Sequence, residues 1–223
     1  RDDDDIFRAT VESDCPKLEG FINDLQYVEV EMDDLYRVIA GDIYDCAVYN
    51  DVPVTCPVPT AIVNACWLDV EMVAKSLAHK SVITIGIPPE KGEGKEDATK
   101  VRVDTPLCDY VVLVRAKKTP EGKIRFSIAT NCPVIKEHAK SLPEIGPDEI
   151  TETNAMKMYE IAEELKWTPI CFVPLAMTYA ALIESGKLDK QVLEETPIRI
   201  SYNKFIIIQI NYLFCPINKR CFV

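Results

Sequence analysis

The chain has 223 residues, 48% apolar and 27% charged, with a mean hydropathy of −0.01, a composition that excludes intrinsic disorder, a collagen-like repeat and a polytopic membrane protein. Its 25 basic and 36 acidic residues leave a net charge of −11, so phosphate backbones and anionic lipid are unfavourable partners; neither a nucleic-acid nor a membrane partner is expected. Nine cysteines are too few for a disulfide scaffold, and an odd number cannot all pair internally, so free thiols or thiolate ligands are implied.

In chain order, Arg1 and the acidic run Asp2 to Asp5 read as a solvated stretch with no export signal. The run Ile6 to Leu25 contains Ser13-Asp14-Cys15-Pro16, followed by the stripe Leu18, Phe21, Ile22, Leu25 of a one-sided helix. A short helical segment with Tyr44-Asp45-Cys46-Ala47 comes next. Then Cys56-Pro57-Val58-Pro59-Thr60-Ala61 opens a longer helix, and Val82 to Ile85 forms a closing strand. Gly86 to Lys100 reads as a linker of proline, glycine and alternating charge. After it, Cys108 to Arg115 reads as a strand, Thr119-Pro120-Glu121-Gly122 as a turn and Lys123 to Ala129 as a second strand.

From there the pattern recurs. Thr130-Asn131-Cys132-Pro133 precedes the stripe Ile135, Ala139, Leu142; Tyr159 to Ala162 matches Tyr44 to Ala47; Cys171-Phe172-Val173-Pro174 matches Cys56 to Pro59; and Pro197 to Ile200 closes the copy. Equivalent residues lie 115 positions apart from Tyr44 onward and 117 apart at Cys15. The chain is therefore an internal duplication, with a first repeat over residues 1–85, a linker over 86–100, a second repeat over 101–200 and an atypical apolar tail over 201–223. Asp2 to Asp5 align with the turn of the second copy, which predicts that the chain opens inside repeat one, with that repeat's first strand and its cysteine absent. Each repeat is expected to be a small α+β domain of one strand hairpin, two main helices and a closing strand, a three-stranded sheet with helices on one face. The apolar run in the tail is about half the length of a membrane-spanning helix.

The recurrent cysteines carry the chemistry. Proline is favoured at the first helical position, so Cys15, Cys132 and Cys56 are expected at or beside helix N-caps, where unpaired amides and the helix dipole stabilise a thiolate. Cys108, Cys132 and Cys171 in repeat two, with Cys15 and Cys56 as the remnant of the same set in repeat one, are candidate ligands for zinc or an iron–sulfur cluster. Two other readings stay open: Cys56 as the reactive thiol of a sulfur-carrier or redox relay, and cysteines that only fill space in a non-catalytic module whose repeats pair with each other or with a protein partner. Cys46 and Cys66 have no thiol counterpart in the second copy, where Ile161 and Ala181 stand, and are expected to be core. The equivalent tyrosines Tyr44 and Tyr159 are expected to pack their rings and leave their hydroxyls wet. No dinucleotide, P-loop, serine-hydrolase or zinc-protease motif is present, and the chain is not expected to be an enzyme.

The strand cysteine, the Ser/Thr-Asp/Asn-Cys-Pro strand end, the Tyr-x-x-Ala segment and Cys-Pro-Val-Pro-Thr-Ala-Ile together resemble a small domain-of-unknown-function family of anaerobic archaea and bacteria. The resemblance covers residues 6–85 and 107–200 and implies a cytoplasmic, anaerobic setting without supplying an activity. It places the family's cysteines on Cys15, Cys56, Cys108, Cys132 and Cys171. Phe172 stands where repeat one has Pro57. Cys56-Pro57-Val58-Pro59 is also similar to the Cys-Pro-x-Pro motif of the TusA-like sulfur carriers, whose cysteine carries a persulfide.

Overall fold

The computed structural model describes residues 6–13, 15–39, 41–74, 76, 82–89, 98–105, 107–150 and 156–202, and the backbone of 208–211. Asp2 to Asp5, His79, Cys215 and Cys221 lie outside the described residues. The described helices are α1 (Glu19–Leu25), α2 (Gly41–Tyr49), α3 (Val58–Asp69), α4 (Pro133–His138), α5 (Lys157–Glu164), α6 (Val173–Glu184) and α7 (Lys190–Glu195). The strands are β1 (Val82–Gly86), β2 (Thr99–Thr105), β3 (Tyr110–Lys118), β4 (Ile124–Thr130), β5 (Ile198–Tyr202) and β6 (Ile208–Asn211).

The α+β class is as expected, but the sheets are not separate. All six strands form one antiparallel sheet in the order β4-β3-β2-β1-β5-β6, which corrects the three-stranded sheet anticipated for each repeat. The additional strand β2 begins at Thr99, inside the stretch read as linker, and its alternation of Val101 and Val103 with Lys100, Arg102 and Asp104 is the period-two pattern of a strand with one wet face. Charge density drew that segment into the linker; strand pairing of Val101 to Val114 and Val103 to Val112 shows what the valines are for. Likewise Cys108 lies in the turn before β3, with Asp109 at φ 57°, and not in a strand.

The duplication is a property of the fold. Phe7 and Val30 exchange two backbone hydrogen bonds (2.9 and 3.1 Å), as do their equivalents Ile124 and Ile145 (2.8 and 2.9 Å). Helices α2 and α5 end at matching left-handed residues, Asp51 (φ 51°) and Lys166 (φ 54°), and α3 and α6 at Glu71 (φ 60°) and Gly186 (φ 74°). Strands β1 and β5 are themselves equivalents and pair with each other: Ile83 with Ile200, Thr84 with Arg199, Ile85 with Ile198. Because Thr84 and Arg199 are 115 residues apart, this register is what a local twofold axis between them requires, an isologous interface within one chain.

Above the sheet, α3 and α6 are apolar nearly all round and correspondingly buried; every residue from Val173 to Leu182 is inside. Helix α6 packs on β2 and β3, and α3 on β6. The two helices exchange reciprocal bonds across the axis: Asn64 Nδ2 donates to the Ile170 carbonyl (3.3 Å) and Tyr179 Oη to the Thr55 carbonyl (2.8 Å), each donor and each acceptor being the repeat equivalent of the other. Tyr179 is 1% and Thr55 2% exposed, so Tyr179→Phe, which strands a buried carbonyl, is expected to cost about 1–2 kcal/mol in urea unfolding.

Candidate functional site

Each recurrent cysteine is held by a local motif that the sequence dictates. Cys132 is the N-cap of α4 (φ −68°, ψ 120°), with Pro133 at the first helical position; its N–H donates to Thr130 Oγ1 at 3.0 Å. Cys15 repeats the arrangement in front of the 3-10 turn Pro16–Leu18 (φ −71°, ψ 113°), its N–H donating to Ser13 Oγ at 3.1 Å. The hydroxyl two residues upstream thus fixes the extended backbone that the following proline also requires. Cys56 and Cys171 sit one position before the caps Pro57 and Phe172, with N–H groups donating to Pro53 (2.7 Å) and Thr168 (2.9 Å) carbonyls. The N-cap expectation therefore holds to within one residue.

In repeat two, two of these positions share one end of the sheet. Cys108 stands on the β2–β3 turn, its Sγ 2.8 Å from Thr105 Oγ1. The end of β4 is tied to the start of β3 by Thr130 Oγ1 donating to the Val111 carbonyl (3.0 Å) and by the Val111 N–H donating to Asn131 Oδ1 (3.0 Å), which brings the Cys132 cap to the same end of the sheet. Cys171, at the start of α6, has its thiol pushed up to about 12, chiefly by burial, with the charges of Cys108 and Cys132 adding in the same direction. Cys108 and Cys132 thus each lie within electrostatic range of Cys171, and all three are free thiols. At Cys171 burial outweighs the nearby helix N-terminus and holds the thiol protonated. Among the described residues no three His, Cys, Asp or Glu groups are gathered closely enough to hold a metal as placed; charge coupling reaches farther than the roughly 2.3 Å of a zinc–thiolate bond.

The cluster continues toward the local twofold axis. Tyr159 lies within charge range of both Cys56 and Cys171, and its ring meets that of Tyr44 with centroids 5.4 Å apart. Both hydroxyls share Thr60, Tyr44 at 2.8 Å and Tyr159 at 3.3 Å. The rings are buried, 4% and 3% exposed, so the expectation of wet hydroxyls is overturned: the repeats face each other here, and a threonine where repeat two has Leu175 supplies the hydrogen-bonding partner. Burial is the main reason both phenols are held well above their ordinary range. Equivalence of Tyr44 and Tyr159 was the one signal for this polar cluster; Thr60, lacking a polar counterpart, gave none.

Cys46 and Cys66 are buried as expected. The Cys66 thiol is pushed up to about 12, first by burial and then by Asp69. A shallow surface depression of about 590 Å³, lined by residues including Asp24, Glu29, Asp42, Asp45 and Cys46, contains none of the five candidate ligands. Among the described residues no helix is long and apolar enough to cross a membrane.

Comparison with known proteins gives one match. The model of a family described as "Family of unknown function (DUF6951)" covers residues 1–82 and 99–195, stretches that include all five recurrent cysteines. No curated protein and no solved structure matches the chain.

Proposed function

We propose, from the premise that the chain belongs to this family of unknown function, that it binds a thiophilic metal ion or an iron–sulfur cluster through Cys108, Cys132 and Cys171. What supports the reading is that Cys108, on a turn, and Cys132, just past a strand end, each lie within charge range of Cys171 at a helix start, all three being free thiols. Three sulfurs are the donor set of a soft or borderline metal, with a fourth position left for an outside ligand. Cys108 is exposed and carried on a turn. When bound, the metal supplies the positive charge that lets the three thiols lose their protons together. Cys15 and Cys56 repeat the cap positions of this set in repeat one. Free thiols suit the reducing, cytoplasmic and anaerobic setting that the sequence resemblance implies.

Protein purified without oxygen and without a metal-affinity column is expected to carry near-stoichiometric zinc, or iron with sulfide and its charge-transfer absorption. Cys132→Ser and Cys171→Ser are each expected to lower that content at least tenfold while the far-UV circular dichroism is retained. Metal-free wild-type protein that also fails to take up zinc, or metal content unchanged in both variants, overturns the reading. In a metal-free protein, a Cys56 thiol that alkylates much faster than every other would favour the sulfur-relay alternative.

A further inference from the structure

We infer that repeat one carries a docking surface for a basic, arginine-bearing segment of a partner protein, on the aromatic and acidic depression beside α2. The depression holds about 590 Å³ and lies between the end of α1, residues 27–29 and one side of α2. From α2 it takes Asp42, Asp45, Cys46 and Tyr49, the i, i+3, i+4, i+7 spacing that sets four side chains in one line along a helix. Tyr27 and Tyr49 are 79% and 83% exposed, the two most exposed of the large apolar residues among the described residues, and both line it.

The second copy shows that the fold does not require these residues. Where repeat one has Asp24, Asp42 and Tyr49, repeat two has Ser141, Lys157 and Glu164. There Lys157 Nζ meets Glu160, the equivalent of Asp45, at 3.4 Å. Helix α5 thus carries an ion pair where α2 carries two carboxylates three positions apart, a like-charge spacing that weakens a helix. Asp24 accepts from Asn50 Nδ2 at 2.9 Å and Glu29 pairs with Arg8 at 2.5 Å. Asp42 and Asp45 are exposed and have no hydrogen bond or ion pair among the described residues. The helix N-terminus accounts for Asp42, which lies in the first turn; nothing comparable accounts for Asp45.

The chemistry fits a guanidinium-bearing peptide. Tyrosine rings left in water stack on a planar guanidinium, and carboxylates take its N–H groups in pairs. A shallow depression of this size suits a segment of chain, since small molecules are bound in clefts that bury most of their surface. The carboxylates are not gathered as a metal requires: among the described residues no three His, Cys, Asp or Glu groups could hold an ion. The net charge of −11 draws a cationic partner in from a distance. The surface shares no residue with the five candidate ligands, so it stands or falls apart from the metal reading.

The test is a fluorescein-labelled peptide of arginines alternating with serines, titrated into the full chain alongside the same peptide with lysine for arginine. One saturable site per chain is expected, with the lysine peptide at least threefold weaker. Tyr27→Ala with Tyr49→Ala, and separately Asp42→Asn with Asp45→Asn, are each expected to weaken the arginine peptide at least tenfold with the far-UV circular dichroism retained, all four residues being exposed. Glu137→Gln with Asp148→Asn removes the same charge from exposed residues outside the depression and is expected to leave binding within twofold. Equal weakening by the two neutralised pairs, or binding that survives loss of both tyrosines, reduces the effect to net charge and overturns the docking surface. So does the absence of saturable binding, or displacement of the peptide by stoichiometric calcium, which would make the depression a metal site.

Discussion

Thr84→Pro is expected to unfold the whole chain and not merely the first repeat. Thr84 is the central residue of β1 and is paired on both sides, with Asp104 of β2 and Arg199 of β5, so its N–H serves one ladder or the other. Proline removes that donor and sets its ring against a neighbouring strand, which is why it is confined to edge strands, strand starts and bulges. Natural domains hold only about 5–15 kcal/mol in total. The loss also falls where the repeats join: Ile83 and Ile85, each at most 1% exposed, pack with Ile198 and Ile200 across the axis, and each is worth about 1.5–3 kcal/mol by burial. Wild-type protein should show one cooperative urea transition by circular dichroism and by fluorescence of Trp67 and Trp167, one in each repeat. Thr84→Pro should lower its midpoint or abolish it for both probes together, while Thr84→Val, which keeps the ladder, should shift stability by less than about 1 kcal/mol. Two separated transitions, with the Trp167 signal untouched by proline, would mean that the repeats fold independently.

How far the sequence spoke follows from what kind of signal each feature leaves. The duplication was legible because Cys-x-Val-Pro, Tyr-x-x-Ala and the cysteine–proline caps are local motifs, each required by its own backbone conformation: extended at Cys15 and Cys132, helical just after Pro57 and Phe172. The α+β class followed from the one-sided stripes of the first helix in each repeat and the alternation of β4. The continuous sheet was not legible, since pairing of β1 with β5 joins residues more than 110 positions apart, and each strand alone is consistent with a three-stranded or a six-stranded sheet. Strand β2 was obscured by its charges, which line its exposed side. For the candidate site, the sequence supplied the three positions of repeat two but not the balance of forces on them: burial, invisible in the sequence, pushes the Cys171 thiol up. The Tyr44–Thr60–Tyr159 cluster depends on the two repeats facing each other, and Thr60, with Leu175 as its equivalent, had no polar counterpart to mark it.

Alkaline pH is expected to unfold the protein steeply between about pH 10 and pH 12. Tyr44, Tyr159 and Tyr202 are buried and held above the ordinary phenol range, burial being the largest cause in each case, and Cys66 is pushed up to about 12. The unfolded chain ionises these groups near their ordinary values, about 8.5 for a thiol and about 10 for a phenol. A group whose folded pKa is raised contributes its full stability below the unfolded value and loses it as pH rises toward the folded one. Cys66 therefore begins to weaken the fold above about pH 9, and the phenols join above about pH 10. Each proton that the folded chain keeps and the unfolded chain releases costs about 1.4 kcal/mol per pH unit, so four such groups remove on the order of 5 kcal/mol per unit, enough to exhaust an ordinary domain's stability within two or three units. Absorbance at 295 nm should show most of the nine tyrosines titrating smoothly and the buried ones appearing together, at the pH where the far-UV signal is lost. Tyr202→Phe separates this cause from general charge repulsion: its hydroxyl has no hydrogen-bond partner among the described residues, so the variant should keep or gain up to about 1 kcal/mol at neutral pH and move the alkaline transition upward. All nine tyrosines titrating near pH 10 with an intact far-UV signal would show that these hydroxyls are open to solvent.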